Sequence, residues 1–199
     1  MAHETAEHPV EMRIYHWLHL IGMITLGVSG FYIHSPFFPN GMRWMRFAHF
    51  VAMYVVLVVL VLRVSYAFLS RNRDFHSFGL GLKQWKLIPG VLGYYLFLKK
   101  KLPEGVGAYN PMQRLTYIFF ALLLIPQAIT GFSMYSSTAP YFTWFVTFMG
   151  GLAKVRALHL FIMWVFLAVG LAHVYLSLFE DFAQFKYMIL SVEPKELKK

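Results

Sequence analysis

The stretch 156-RALHLFIMWVFLAVGLAHVY-175 decides the fold. About 20 apolar residues are what a helix needs to cross the hydrocarbon core of a bilayer. This run nevertheless carries His159 and His173, fourteen residues apart. At 100° per residue, fourteen steps bring a side chain back to within about 40° of its starting direction and about 21 Å along the axis. Both imidazoles therefore face one interior, each near a different side of the membrane. Polar residues at such depth are costly and mark function. One metal ion cannot serve both across that rise, whereas two separate sites can.

The rest of the chain has the same character. Of its 199 residues, 58% are hydrophobic, 19% aromatic and 14% charged, against about 45–50% apolar in a soluble domain. The excess falls in four runs, roughly Met12 to His34, Trp44 to Leu69, Met112 to Tyr135 and Val155 to Phe179. Pro36 and Pro39 close the first run. Pro126 lies inside the third, where neighbouring helices re-satisfy the backbone. No period-two alternation suggests strands. These features predict an all-α integral membrane protein, a four-transmembrane-helix bundle forming one domain over residues 1–199. The N-terminal MAHETAEHPVEMR lacks a basic n-region, so the first run is expected to be a retained span.

The formal net charge of +9 does not point to nucleic acid. Arg63, Arg71, Arg73, Lys83, Lys86, Lys99, Lys100, Lys101 and Arg114 crowd the middle connector beside apolar spans, as in a cytoplasmic loop. The first connector has Arg43 and Arg46, the third Lys154 and Arg156, and the tail Lys195, Lys198 and Lys199. Both termini and the middle connector are expected to be cytoplasmic. The segment KQWKLIPGVLGYYLFLKKK (83–101) reads either as an interfacial amphipathic element or as a plain basic loop. With no cysteine, the chain holds no disulfide, zinc-thiolate site or iron–sulfur cluster of its own.

An internal repeat runs through the four spans. Arg13 precedes Gly30-Phe31 by the same interval as Arg114 precedes Gly131-Phe132. The second span opens MRFAHF and the fourth VRALHL. Fourteen residues past His49 stands Arg63, and fourteen past His159 stands His173; His16 corresponds to Tyr117. The halves read as two copies of a helical hairpin.

Because consecutive spans alternate in direction, depth pairs the histidines. His49 and His159 both begin spans at the outer side. His173 lies toward the inner side, where His16 begins the first span, with His19 its rival one turn on. Two bis-imidazole sites stacked in a helix bundle suit two b haems. Gly22, Gly27, Gly30, Gly131 and Gly170 would leave room for porphyrin, or simply let helices approach. Arg13, Arg46 and Arg156 each stand three residues before a ligand candidate, placed to pair with haem propionates or to anchor at the interface. His34 and His76 read as loop residues, and His3 and His8 as tail.

RIYHWL (13–18), RFAHF (46–50), the YLFL…YNPMQR connector (95–114), ITGFSMYS (129–136) and HLFIMW…AHVYLSLFED (159–181) resemble the b-type cytochrome subunit of membrane-bound nickel–iron hydrogenases. The wider superfamily includes the formate dehydrogenase gamma subunit and thiosulfate reductase cytochrome b. The likeness covers nearly the whole chain. It implies His16, His49, His159 and His173 as axial ligands, with tryptophan after the first-span ligand selecting His16 over His19. It further implies a bacterial or archaeal cytoplasmic membrane and a periplasmic oxidoreductase with iron–sulfur small and catalytic large subunits. Electrons would pass to the outer haem, with quinone exchanging them at the inner one and Asn110 lining the quinone pocket. Tyr109 and Tyr117 would wall that pocket or serve as belt aromatics. Quinone protonation would fall to water with Asn110, Glu180 or Asp181. Family members also form dimers of the whole complex. The third connector, Ser136 to Lys154, is shorter here than in the hydrogenase members, which leaves the docking enzyme open. The alternatives are the cytochrome subunit of a formate dehydrogenase or of a thiosulfate/polysulfide-type reductase, a stand-alone transmembrane reductase, and an anchor without haem.

Overall fold

The computed structural model describes residues 10–70, 75, 79, 81–106, 111–136, 138–179 and 182–190. Its elements are α1 (Val10–His34), α2 (Met42–Leu69), α3 (Leu82–Tyr95), α4 (Pro111–Met134), a 3-10 turn (Ala139–Phe142), α5 (Thr143–Phe148), α6 (Leu152–Phe179) and α7 (Phe182–Leu190). No strand occurs among the described residues. Helices α1, α2, α4 and α6 are long and apolar enough to cross a membrane. Large apolar side chains such as Ile21, Val58 and Phe161 are exposed on them. So much outward apolar surface suits lipid and would be a liability in water.

The four long helices form two hairpins. α1 runs along α2, and α4 along α6. Gly22 lets the first pair close, since a Cβ there would stand 2.5 Å from Val56 Cγ2. The hairpins meet at mid-depth around Val56, Leu124, Ile162 and Phe166, flanked by Met23, Leu26 and Phe120. Phe120 stacks on Phe166 with ring centres 5.6 Å apart. This layer is made wholly of hydrocarbon, and its burial against neighbouring helices holds the halves together.

The turns set where α2 and α6 begin. Tyr32, fully buried, donates from its hydroxyl to the Phe38 carbonyl at 2.5 Å and accepts from Gly41 N at 3.1 Å. This pins the loop that launches α2. Before α6, Gly150 and Gly151 take φ of 79° and 113°. Gly150 N bonds the Thr147 carbonyl and Gly151 N the Val146 carbonyl. That is a Schellman stop to α5, favouring glycine because a side chain at positive φ is strained. The same pattern ends α3, where Phe97 takes φ of 60° while its N–H bonds the Tyr94 carbonyl.

Three segments are more helical than the sequence reading anticipated. The 83–101 segment folds as α3 through Tyr95, despite Pro89 within it. The third connector contains the 3-10 turn and α5 rather than a plain loop. A further helix, α7 (Phe182–Leu190), lies beyond α6, where Phe182 stacks on Phe185 with centres 5.9 Å apart. Phe182, Phe185 and Ile189 recur at helical spacing, a signal that was legible but lay outside any bilayer-length run.

Candidate functional site

Two pairs of imidazoles face each other across the bundle. His49 on α2 and His159 on α6 have ring centres 6.4 Å apart with planes at 57°. His16 on α1 and His173 on α6 have centres 6.3 Å apart with planes at 56°. Of the two first-span candidates, His16 faces His173, while His19 Nδ1 lies 3.3 Å from the Tyr15 carbonyl in its own helix.

The spacing has a chemical meaning. With metal–nitrogen bonds of about 2.0 Å and about 1.1 Å from nitrogen to ring centre, two imidazoles sharing one metal have centres about 6.2 Å apart. Both pairs meet that figure. No group of three or more His, Cys, Asp or Glu able to hold a metal ion occurs among the described residues. A bare ion would thus find two protein donors per site, short of the four that a zinc site closes with. A porphyrin brings its own four nitrogens and asks the protein for axial ligands alone. The donor set fits haem and does not fit a structural zinc.

Hydrogen bonds orient the first pair. Ser29 Oγ lies 2.9 Å from His49 Nδ1, and Thr130 Oγ1 lies 2.8 Å from His159 Nδ1. Ser29 gives its proton to the Thr25 carbonyl at 2.5 Å, and Thr130 gives its to the Pro126 carbonyl at 2.8 Å. Each hydroxyl therefore accepts from the ring, so Nδ1 carries the hydrogen and Nε2 keeps its lone pair. On His159, that lone pair faces the Gln127 side-chain nitrogen at 3.2 Å. Gln127 Oε1 is buried with no hydrogen-bond partner. A metal on this Nε2 would require the Gln127 amide to turn aside.

The glycines separate by role. Gly30 and Gly131 lie against the ligand rings, since a Cβ would stand 3.5 Å from His49 Cε1 and 3.4 Å from His159 Cε1 respectively. Gly22 serves helix packing. No heavy atom lies within 4 Å of a Cβ built at Gly27 or Gly170.

The arginines differ as well. Arg46 and Arg156 are exposed near the His49–His159 end. Arg46 lines a groove of about 630 Å³ with Arg43, Phe50 and Tyr135. Arg13 is half-buried, its guanidinium 5.5 Å from the Tyr187 ring centre. At the His173 end, a cleft of about 290 Å³ is lined by Tyr94, Tyr95, Lys99, Lys100 and Tyr175. Asn110, Tyr109, Glu180 and Asp181 lie outside the described residues.

Sequence reading missed Ser29, Thr130 and Gln127. The signal for the first two was present: each immediately precedes the Gly-Phe of the repeat.

The family model described as "Prokaryotic cytochrome b561" matches residues 7–191. A protein of Rhizobium leguminosarum bv. viciae named "Probable Ni/Fe-hydrogenase B-type cytochrome subunit" is 32% identical, over 91% of this chain and 83% of its own. An Escherichia coli K12 protein named "Probable Ni/Fe-hydrogenase 1 B-type cytochrome subunit" is 30% identical, over 91% and 84%. An Azotobacter vinelandii protein with the first of these names is 29% identical, over 85% and 78%.

Proposed function

Since the chain belongs to the prokaryotic cytochrome b561 family, we propose that it is the membrane subunit carrying electrons between a periplasmic nickel–iron hydrogenase and the quinone pool. The observation that carries this reading is the pair of matched imidazole spacings, 6.4 and 6.3 Å, stacked along α6. His49 and His159 would hold the outer haem, and His16 and His173 the inner one. The haems supply reversible one-electron chemistry when bound.

The protein's own groups do the rest. The imidazoles would hold each haem, one from each of two facing helices. Arg46 and Arg156, exposed one turn before their histidines, stand where a carboxylate at the bundle surface finds a bidentate partner. Arg13 fills the corresponding place at the inner end. The layer of Val56, Leu124, Ile162 and Phe166 is packed and apolar, an environment that disfavours ions and water. Both termini and the α2–α4 connector face the cytoplasm, following the basic residues of that connector.

The partner is a nickel–iron hydrogenase, in line with the names of the relatives, and the resemblance implies that it brings an iron–sulfur small subunit and a catalytic large subunit. It docks at the His49–His159 end. Quinone meets the opposite end, at the tyrosine-lined cleft beside α6, with Asn110, which lies outside the described residues, as a further quinone-binding candidate.

The test is a reduced-minus-oxidised spectrum of the purified chain with haem quantitation. Two b haems per chain are expected. A colourless protein, or one haem per chain, defeats the di-haem reading. Co-purification of an iron–sulfur subunit with nickel-containing large subunit checks the partner, and its replacement by a formate- or thiosulfate-converting enzyme would reassign it.

A further inference from the structure

The two hairpins carry the same small device at the same place. In the first, Ser29-Gly30 on α1 meets His49 on α2. In the second, Thr130-Gly131 on α4 meets His159 on α6. The hydroxyl lies against Nδ1, at 2.9 and 2.8 Å. The glycine that follows lies beside the Cε1 edge, which would be 3.5 and 3.4 Å from a Cβ there. Ser29 and Thr130 are 1% and 0% exposed, so a water molecule does not substitute for either contact. Each ring is thus held by its Nδ1, which fixes the tautomer and restrains the ring's rotation.

The direction of the protons follows from the hydroxyl's capacity. A serine or threonine hydroxyl has one hydrogen and two lone pairs. Both hydrogens go to backbone carbonyls one turn back. The imidazole must then be the donor, and its Nε2 keeps the lone pair, which on His159 faces the Gln127 amide nitrogen at 3.2 Å. An imidazole that donates from Nδ1 is a more basic ligand through Nε2. Among the described residues, His173 has no hydrogen-bonding neighbour of this kind.

We propose that Ser29 and Thr130 are positioning residues for His49 and His159, presenting both Nε2 lone pairs to one haem iron and setting that haem's potential apart from the other's. The inference rests on the di-haem reading above. A more basic ligand pair favours the ferric state, so the two hydroxyls lower the midpoint potential of the haem they serve.

The experiment uses the full chain in its membrane, with potentiometric titration followed optically and by low-temperature EPR. Thr130→Val keeps the side-chain shape and removes the acceptor; Thr130→Ser keeps the acceptor. Ser29→Ala and Ser29→Thr form the matching pair. Thr130→Val and Ser29→Ala should raise the midpoint of one haem and change its low-spin EPR signature, with the second haem unmoved. Thr130→Ser and Ser29→Thr should stay at the wild-type potential. If Thr130→Val releases that haem outright, Thr130→Ser must retain it for the inference to stand. Unchanged potential and EPR in Thr130→Val with both haems bound would overturn it, as would a shift of equal size in Thr130→Ser. A wild-type chain lacking two b haems defeats the underlying reading and this inference together; a wild type with both haems isolates the inference as the point under test.

Discussion

The His49–His159 and His16–His173 pairs have nearly the same ring separation and contrasting surroundings. The first is braced by buried hydroxyls from α1 and α4 and by glycines beside the rings. The second has His16 exposed, its ring edge-on to Trp17 at 5.3 Å. Trp17 in turn donates to the Met188 carbonyl of α7 at 3.0 Å. The internal repeat explains the contrast. His49 and His159 are equivalent positions in the two hairpins, so each hairpin supplies one imidazole and one hydroxyl. His16 and His173 are not equivalent: their counterparts are Tyr117 and Arg63. One pair obeys the pseudo-symmetry of the bundle and the other breaks it, taking its support from aromatic packing and a helix after the fourth span. Equal ring separation is therefore reached by two different kinds of surroundings.

Deleting a ligand should break the comparison most sharply. His159→Ala is expected to take the haem content from two per chain to one, leaving the His16–His173 pigment, and His173→Ala to do the reverse. Haem-to-protein ratio and the split of the α-band measure this; two variants that both keep two haems would show the pairing to be wrong.

Gly22→Ala acts on neither pair directly. Its Cβ would stand 2.5 Å from Val56 Cγ2, and overpacking of this kind costs about 1–3 kcal/mol. Thermal melting followed by haem absorbance should show both haems leaving together at a lower temperature. Loss of one haem well ahead of the other would mean that the mid-depth contact is not shared by the two ends.

Trp17→Phe removes the bond to the Met188 carbonyl, worth about 1 kcal/mol. The His16–His173 haem should then be the first released on heating, with the other unaffected. Simultaneous release would argue that α7 does not support that pair. Smallest is Phe97→Gly. It relieves a left-handed residue at the end of α3, a gain of about 1 kcal/mol, and should raise the melting temperature while leaving both haem spectra alone. An altered spectrum would tie the α3 turn to a ligand pair.

Much of this was legible in the chain itself. Hydrocarbon length and composition mark four spans, because a bilayer demands about 20 apolar residues of any helix that crosses it. The structure shifts their ends by only a residue or a few: α6 starts at Leu152 rather than Val155, and α1 at Val10 rather than Met12. The fourteen-residue interval puts His159 and His173 on one face because helix period is a local property. The segments around α3, α5 and α7 were less legible. They are short, lie outside the spans, and depend on turns such as Gly150-Gly151 and on docking, as of Met188 against Trp17.

By itself, then, the sequence determined the spans, the shared face of the two α6 histidines and the repeat that relates the hairpins, since each depends on composition or on spacing along one helix. Tertiary structure alone decided that Ser29 and Thr130 hold the His49 and His159 rings, and that Gly22 packs helices while Gly30 and Gly131 border imidazoles; it also brings His16, which the family resemblance already favoured over His19, against His173. Those are contacts between helices, and a side chain's partner across a bundle depends on how neighbouring helices are rotated and displaced, which no spacing along a single helix records.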